Sequence, residues 1–325
     1  MSDEIIEQGI EIDFINSKLE SIFSEISKYL VGQEQLARLS VAALLCDGHI
    51  LLEGAPGVAK TFTANLISKL INLSFSRIQF TPDLMPSDVT GTSIFNPKNL
   101  DFEFKYGPIF SNIVLIDEIN RAPAKTQSSL FEAMQERQVT NNNSTYNLDE
   151  PFLVIATQNP IEHEGTYKLP EAQLDRFLVK LNIDYPNLEN EIQILKNHDR
   201  NLYDNVLSNI APVITKEDFL MLKNEIGKVT VDDKIIEFIS TIVVETRKNN
   251  SLYLGASTRG SISILKLSKV IAVFNNRNFV IPEDVIEIVP YVLNHRIILT
   301  PEKEMEGLTN DDIIKQILSK ITIPR

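Results

Sequence analysis

The fold is decided by Ile50-Leu51-Leu52-Glu53-Gly54-Ala55-Pro56-Gly57-Val58-Ala59-Lys60-Thr61. The apolar residues at the start of this stretch predict a buried strand. Residues 60–70, which begin at the end of the stretch and continue beyond it, have the apolar spacing of a helix. Between them lies a turn that contains two glycines and a proline. The backbone N–H groups of such a loop, together with the N-terminus of the next helix, can wrap around anionic phosphates. The stretch therefore predicts a strand, a phosphate-binding loop and a helix, in that order.

The loop matches the pattern G-x-x-x-x-G-K-[ST] except at Ala59, which stands in place of the second glycine. Alanine is tolerated there if the residue has helical dihedral angles. Lys60 is expected to reach the β- and γ-phosphates of a nucleotide, and the Thr61 hydroxyl to ligate Mg²⁺. A plain Gly-Pro-Gly turn is the alternative, but it does not explain why lysine and threonine follow directly. The candidate nucleotide-binding residues are Gly54, Ala55, Pro56, Gly57, Val58, Ala59, Lys60 and Thr61.

Beyond the loop, apolar runs alternate with helical segments as far as residue 186, which indicates the α/β fold class with a parallel sheet covered on both faces. Further strands are expected at residues 75–80, 112–116, 152–157 and 177–183. Two stretches interrupt the alternation. Residues 82–107, rich in Pro, Asn, Asp and Thr, are expected to form an irregular or hairpin insertion. Residues 138–150 contain Asn141-Asn142-Asn143, a turn signal that predicts a hairpin.

The sequence after residue 186 predicts only helices. A smaller all-helical domain, 187–325, is therefore expected to follow an α/β domain, 1–186. The expected helices are at about 187–198, 216–226, 232–248, 258–274, 283–292 and 310–321. Two more helices, at 13–29 and 34–47, are expected ahead of the loop.

A second buried strand ends in two carboxylates, Asp117 and Glu118. Because the carboxyl ends of parallel strands form the ligand edge of a sheet, this pair is expected beside the phosphate loop. Asp117 would hold Mg²⁺ through a water molecule, since Mg²⁺ keeps part of its hydration shell, and Glu118 would polarise the attacking water. A strand that ends in solvated acids is a common alternative, so the pair alone is weak evidence for a nucleotide site. Together with the phosphate loop it is strong evidence, because both mark the same edge of the sheet. Arg121 would either meet a neighbouring subunit or form a local salt bridge.

Two polar residues follow or precede expected strands. Asn159 comes after the strand at 152–157 and would orient the attacking water, although Asn159-Pro160 is also a turn signal. Arg176 lies just before the last expected strand, where an ordinary surface salt bridge is the alternative.

Arg259 lies at the start of an expected helix, with Ser257 or Thr258 as a candidate N-cap. A cation at this end opposes the helix dipole. An anionic partner, such as a γ-phosphate, would offset the unfavourable placement.

Composition narrows the range of functions. The 325 residues are 43% hydrophobic and 23% charged, as in a folded globular protein, and the formal net charge is −13. This acidic balance argues against nonspecific nucleic-acid binding as the main role. The single cysteine, Cys46, excludes an internal disulfide, and the four histidines are too scattered to suggest a metal site. An acidic start and the lack of a long apolar run argue against a signal peptide and a membrane span, so the cytoplasm is the expected location.

As a whole, this pattern resembles the AAA+ ATPases. Residues 54–61 look like their Walker A motif and residues 113–118 like Walker B. Asn159 looks like sensor 1, Arg176 like the arginine finger and Arg259 like sensor 2. The order and spacing of these features are similar to those of the family across most of the chain.

More closely, the chain resembles the MoxR family. Ala59 before Lys60 is typical of that family, and so are the stretches at residues 106–110, 117–123, 156–162, 164–167 and 169–177. Most members have Gln where His163 stands and Pro where Lys168 stands. Neither difference involves a proposed catalytic group.

The resemblance implies a P-loop core with strand order 5-1-4-3-2, followed by a helical lid domain. It identifies residues 82–107 as the helix-2 insert and residues 138–150 as the pre-sensor-1 hairpin. It also implies a hexameric ring that hydrolyses ATP with Mg²⁺ at subunit interfaces, between the α/β domain and the lid. Arg259 would act within its own subunit, and Arg176 would reach the site of the next one. The implied partners are proteins, some with von Willebrand factor A domains, which undergo chaperone-like remodelling or maturation.

Two other functions stay open. One is a nucleic-acid motor, since similar insertions occur in helicase relatives, but the net charge of −13 and the absence of Lys and Arg from residues 138–150 disfavour it. The other is a nucleotide-gated assembly scaffold that hydrolyses ATP slowly or not at all. The intact Asp117-Glu118 pair disfavours that alternative.

Overall fold

A parallel five-stranded sheet organises the first half of the chain. The structure is a computed structural model and describes residues 12–54, 59–141, 144–159, 167–200 and 206–324. The strands are β1 (Ile50–Gly54), β2 (Phe75–Gln79), β3 (Gly91–Asn96), β4 (Asp101–Tyr106), β5 (Ile113–Asp117), β6 (Gln138–Asn141), β7 (Ser144–Asn147), β8 (Leu153–Gln158), β9 (Val179–Ile183), β10 (Leu252–Leu254) and β11 (Ile298–Leu299). The helices are α1 (Ile12–Tyr29), α2 (Glu34–Leu45), α3 (Lys60–Leu70), α4 (Pro86–Thr90), α5 (Ala124–Glu136), α6 (Glu171–Leu174), α7 (Leu188–Asp199), α8 (Val206–Asn209), α9 (Lys216–Gly227), α10 (Asp233–Lys248), α11 (Thr258–Phe274), α12 (Pro282–Leu293), α13 (Pro301–Met305) and α14 (Asn310–Lys320). Short 3₁₀ turns span Pro108–Phe110 and Ile119–Arg121.

The sheet has the order β2-β5-β8-β1-β9, and its neighbouring strands are parallel. Numbered on their own in chain order, these strands give 5-1-4-3-2, so the expected order is confirmed. The fully buried strand β5 shows the physical basis: Ile113 and Leu115 pack on one face, and Val114 and Ile116 on the other. A strand covered on both faces needs apolar residues throughout, which explains the continuous run in the sequence.

Helices supply the cover on the two faces. On one side, α1, α2 and α3 contact one another, and both α1 and α2 contact α11 from the second half of the chain. On the other side, α5 contributes Leu130, Phe131 and Met134 to a separate buried cluster. The strands thus lie between two apolar layers, and polar residues lie at the strand ends.

The stretches 82–107 and 138–150 both contain hairpins. β3 pairs with β4 after the short helix α4, and β6 pairs with β7, in both cases antiparallel. Phe104 of β4 stacks on Tyr146 of β7 with ring centroids 4.1 Å apart. The two hairpins are therefore in direct contact.

From α7 onward the chain is mainly helical, and α11 has the bounds expected from the sequence. The expectation of helices alone is incomplete, because β10 and β11 form a short antiparallel pair. Their three and two residues are too few to produce a recognisable periodicity. Among the described residues, no helix combines the length and the apolar character needed to cross a bilayer.

Candidate active site

A cavity of about 410 Å³ opens at the carboxyl ends of the parallel strands. It lies where β1, β5 and β8 end, the edge at which a sheet of this kind binds its ligand. Most of the candidate residues meet there. The lining residues are Gly54, Ala59, Lys60, Thr61, Phe62, Arg77, Gln79, Asp117, Glu118, Thr157 and Asn159. The candidates Ala55, Pro56, Gly57 and Val58 lie outside the described residues.

Ala59 has a left-handed backbone at the N-cap of α3, with φ 57° and ψ 16°. The condition under which alanine is tolerated at this position, right-handed helical dihedral angles, is therefore not met. A residue with a Cβ in the left-handed region costs roughly 1–2 kcal/mol, which glycine avoids. The Ala59 carbonyl accepts hydrogen bonds from the Thr63 N–H at 2.9 Å and from Thr63 Oγ1 at 3.0 Å. These bonds hold the strained residue at the start of the helix.

Lys60 begins α3 and donates a hydrogen bond from Nζ to the Gly54 carbonyl oxygen at 3.1 Å. Burial lowers the pKa of Lys60, and the negative charge of Asp117 opposes this only in part. An ammonium group that is partly removed from water is stabilised when an anion binds beside it. This end of the cavity therefore suits a phosphate.

Asp117, the last residue of β5, pairs with a cation from the neighbouring strand. Arg77 Nε lies 2.7 Å from Asp117 Oδ2. The parallel register sets Gln79 opposite Asp117, so the polar side chains of β2 reach the acidic pair. Asp117 is thus a carboxylate that already has a positive partner.

Glu118 has a left-handed backbone, with φ 57° and ψ 53°. Its N–H donates to Thr157 Oγ1 at 3.0 Å, and its Oε2 accepts a hydrogen bond from Gln79 Nε2 at 2.7 Å. Arg121 Nε lies 3.0 Å from the same oxygen, which is the local salt bridge of the two expected alternatives. Strained non-glycine residues cluster at functional sites, where the surrounding bonds maintain them.

The oxygen donors of this cavity fit Mg²⁺ that is bound together with a nucleotide. Mg²⁺ commonly takes one or two protein oxygens and completes its coordination with water and substrate phosphates. Thr61 and Asp117 can supply such oxygens. In the described parts of the chain, no group of three or more His, Cys, Asp or Glu side chains could hold a metal ion by itself. The residues therefore fit a nucleotide-bound cation rather than a cation bound by the protein alone.

Arg176 and Arg259 lie at the opposite edge of the sheet. They line a second cavity of about 410 Å³ at the amino-terminal ends of β1, β8 and β9, together with His49, Phe152 and Leu178. Arg176 donates a hydrogen bond to Gln135 near the end of α5. Arg259 Nη1 lies 3.6 Å from Asp175 Oδ2.

The length of the strands separates the two cavities. β1 and β9 run in register from Ile50 beside Val179 to Gly54 beside Ile183. Four steps of about 3.3 Å place roughly 13 Å between the two edges. Within the described residues, the first cavity is lined by the α/β half alone. Arg259, expected to act on the nucleotide of its own subunit, thus lines the second cavity and not the one that contains Lys60.

Two pairs of residues at these edges are not among those expected from the sequence. Arg77 and Gln79 could have been inferred, because the expected strand order puts β2 beside the strand that ends in the acidic pair. Asp175 and Arg296 could not, since they are 121 residues apart and no local pattern connects them. Arg296 Nε lies 2.9 Å from Asp175 Oδ1 and ties the helical half to the start of β9.

Comparisons with known proteins agree with this fold. The family model described as "ATPase family associated with various cellular activities (AAA)" matches residues 49–179, and the "AAA lid domain" model matches residues 244–317. A crystal structure of a candidate ATPase from Cytophaga hutchinsonii ATCC 33406 has a TM-score of 0.90 and 44% sequence identity, and the match covers 97% of each chain. Fold and site together define an AAA+ ATPase with a helical lid.

Two curated bacterial proteins align with most of the chain. "Chaperone MoxR1" of Mycobacterium tuberculosis is 40% identical over 321 residues, which cover 94% of this chain and 82% of that protein. "Uncharacterized protein YeaC" of Bacillus subtilis is 48% identical over 299 residues, 92% of each chain. The chain belongs to the MoxR family of AAA+ ATPases.

Proposed function

We propose that this protein binds ATP with Mg²⁺ and hydrolyses it to ADP and phosphate. The observation that supports this best is the convergence of Lys60, Thr61, Asp117, Glu118 and Asn159 on one cavity. Phosphoryl transfer to water needs positioning and charge neutralisation rather than covalent chemistry, and these residue types supply both.

Each residue has a role that follows from its chemistry and its place. Lys60 binds the β- and γ-phosphates through its partly buried ammonium, and the backbone N–H groups of the preceding loop, all but Pro56, would add further donors. Thr61 and Asp117 hold Mg²⁺, which neutralises phosphate charge when it is bound. Glu118 polarises the attacking water, and Asn159 orients it.

Arg176 and Arg259 serve the site of a neighbouring subunit in this proposal, within a ring that we take to be a hexamer. Both lie at the edge of the sheet that faces away from their own cavity, and the Arg259 side chain is 51% exposed. A neighbour that places its cavity against this edge brings its γ-phosphate to the two cations. An arginine finger of this kind contributes roughly 10³–10⁵ in rate.

Mixing two inactive variants tests the shared site. Glu118→Gln and Arg176→Ala should each bind ATP but lose about 100-fold or more of the hydrolysis rate. The first lacks a group that polarises water, and the second deprives its neighbour of a cation. In a mixed ring, one interface combines the intact Glu118 of an Arg176→Ala subunit with the intact Arg176 of a Glu118→Gln subunit. ATPase activity should therefore return in part on mixing.

Mixtures of wild type with each variant serve as the control for subunit exchange. If exchange occurs and mixing restores no activity, either Arg176 is not the finger or it acts within its own subunit. If Arg176→Ala alone keeps nearly full activity, Arg176 has no catalytic role and makes only surface contacts.

The energy of hydrolysis would drive remodelling or maturation of protein partners, some of them with von Willebrand factor A domains. A relative named as a chaperone supports work on proteins. The net charge of −13 and a hairpin without Lys or Arg disfavour nucleic acid as the partner. Identification of the proteins that co-purify with ATP-loaded Glu118→Gln tests this role. Nanomolar, strongly salt-dependent binding to DNA or RNA would contradict it.

A further inference from the structure

Asp175 lies directly before Arg176, and three side chains from the helical half of the chain meet its carboxylate. The Ser257 hydroxyl donates to it, with Oγ 2.9 Å and 3.1 Å from the two oxygens. Arg296 Nε donates at 2.9 Å, and Arg259 Nη1 lies 3.6 Å away. One carboxylate thus joins the end of α6, the start of α11 and the segment after α12.

Arg296 also binds the backbone on both sides of Arg176. Its side chain is 2% exposed, and its guanidinium donates to the carbonyl oxygens of Asp175 at 3.1 Å, Phe177 at 2.6 Å and Leu178 at 3.1 Å. Burial lowers the pKa of Arg296 to about 10, so the side chain stays charged at neutral pH, and the charge of Asp175 offsets part of the burial. The helical half therefore holds the segment that carries Arg176.

Arg259 is held more loosely than Arg296. Its side chain is 51% exposed, and 3.6 Å is long for a charge-assisted hydrogen bond. Ser257, the N-cap of α11, accepts a hydrogen bond from the Arg259 N–H at 3.1 Å, so the serine that donates to Asp175 also sets the backbone of Arg259. Because exposed ion pairs are weak, a phosphate can replace Asp175 as the partner of Arg259 while the buried Arg296 stays in place.

We infer that Asp175 is a positioning residue, which locks the lid to the Arg176 segment so that Arg176 and Arg259 face the same phosphate of the neighbouring subunit. This inference rests on the function proposed above. Asp175 is the partner of Arg259 until that phosphate arrives, and it does not touch the nucleotide itself. Its loss should therefore affect turnover much more than ATP binding.

Asp175→Asn tests the inference, because it removes the charge and nearly keeps the shape. The affinity for ATP should change less than about twofold, whereas kcat should fall about tenfold or more, since small misplacements of catalytic groups are costly. Asp175→Glu returns the charge on a longer side chain and should recover part of kcat. Ser257→Ala removes a single donor and should lower kcat by a smaller factor. The control Glu171→Gln removes an exposed carboxylate at the start of α6 and should change neither quantity.

Subunit mixing distinguishes positioning from a general loss of fold. Asp175→Asn subunits keep their own Glu118, so mixing them with Glu118→Gln subunits should restore activity. Mixing them with Arg176→Ala subunits should not, because both variants damage the same face. Recovery with Arg176→Ala, or recovery with neither variant, would contradict the inference.

Hydrogen–deuterium exchange of the whole chain without nucleotide gives a readout that does not depend on ATPase activity. Asp175→Asn should speed exchange at residues 175–180 and 257–263 at least about threefold relative to Glu171→Gln, because local opening becomes easier. If the wild-type protein hydrolyses no ATP, the proposed function fails, and the exchange result still decides whether Asp175 joins the two segments. Unchanged exchange together with unchanged kcat would overturn the inference.

Discussion

The two edges of the parallel sheet hold their polar groups in different ways. At the carboxyl edge, Asp117 and Glu118 line an open cavity and pair with other side chains, Arg77 and Gln79. At the amino edge, the side chains of His49, Arg137 and Arg296 bind the backbone itself. Arg137 Nη1 donates to the Phe152 carbonyl oxygen at 2.7 Å.

His49 shows the amino-edge pattern most clearly. It is 4% exposed, its Nε2 lies 3.1 Å from the Met134 carbonyl oxygen, and its Nδ1 accepts a hydrogen bond from the Val154 N–H at 3.0 Å. A side-chain partner can rotate away when a ligand arrives, whereas a backbone partner in a sheet cannot. The carboxyl edge is therefore built to exchange partners, whereas the buried side chains of the amino edge hold one geometry around the exposed Arg259, which can exchange its own partner.

The largest effect is expected from Arg296→Met at the amino edge. It removes the buried donor to the Asp175 carboxylate and to several backbone carbonyls, and removal of one partner of a buried ion pair costs about 3–5 kcal/mol. Arg259→Met is the matched control, because it meets the same carboxylate from the exposed side and should cost less than about 1 kcal/mol. Urea denaturation measures both free energies of unfolding. If both variants lose the same free energy of unfolding, the buried Arg296 stabilises the protein no more than the exposed Arg259 does.

The next effect is expected at the carboxyl edge, from Lys60→Ala. The affinity for ATP should fall about 100-fold or more, because the variant loses charge-assisted hydrogen bonds to the phosphates. Lys69→Ala, at the exposed last turn of the same helix, is the control and should leave the affinity unchanged. Titration with a fluorescent ATP analogue checks both. Unchanged affinity in Lys60→Ala would place the phosphates elsewhere.

A fall in pH should lower the free energy of unfolding through His49, which lies at the amino edge. Burial, and secondly the charge of Arg137, lower the pKa of His49 from 6.5 to about 3, so the native protein keeps the ring neutral while the unfolded chain gains a proton. The stability contributed by the neutral ring is complete above pH 6.5 and is lost as the pH falls from 6.5 towards 3, at about 1.4 kcal/mol per pH unit.

The comparison of His49→Gln with wild type isolates this contribution. Between pH 7 and pH 5, the variant should lose roughly 2 kcal/mol less of its free energy of unfolding than wild type, because glutamine takes up no proton. His198→Gln, which changes an exposed histidine on α7, is the control and should follow wild type. If His49→Gln keeps the wild-type pH dependence, His49 is not the titrating group.

The smallest effect is expected from Ala59→Gly. Glycine relieves the left-handed strain but adds freedom to the unfolded chain, so the nucleotide-free protein should gain about 0.5–1 kcal/mol. Ala64→Gly, in the buried middle of the same helix, should instead lose about 1 kcal/mol. Thermal denaturation compares the two variants. A loss of stability in Ala59→Gly would show that Ala59 is not left-handed.

Local patterns in the sequence determined the core strands, the longer helices and the carboxyl-edge part of the site. The five core strands lie within two residues of their expected positions, and α3 and α11 have the expected bounds. Side-chain periodicity follows from local backbone geometry, so a single segment carries this information. Lys60 and the Asp117-Glu118 pair were expected at one edge because parallel strands end on the same side. The left-handed backbone of Ala59 was not expected, since its dihedral angles depend on the bonds around it.

Only the tertiary structure decided how the helical half sits on the sheet and where Arg259 points. The segment of Arg296 packs beside β9, and its bond to Asp175 joins residues that are 121 positions apart. The same packing places Arg259 at the amino edge beside Arg176 and away from the cavity that contains Lys60. Such an arrangement depends on which buried donors and acceptors meet across the whole chain, because each must find a partner when it leaves water. No periodicity within a single segment specifies that choice.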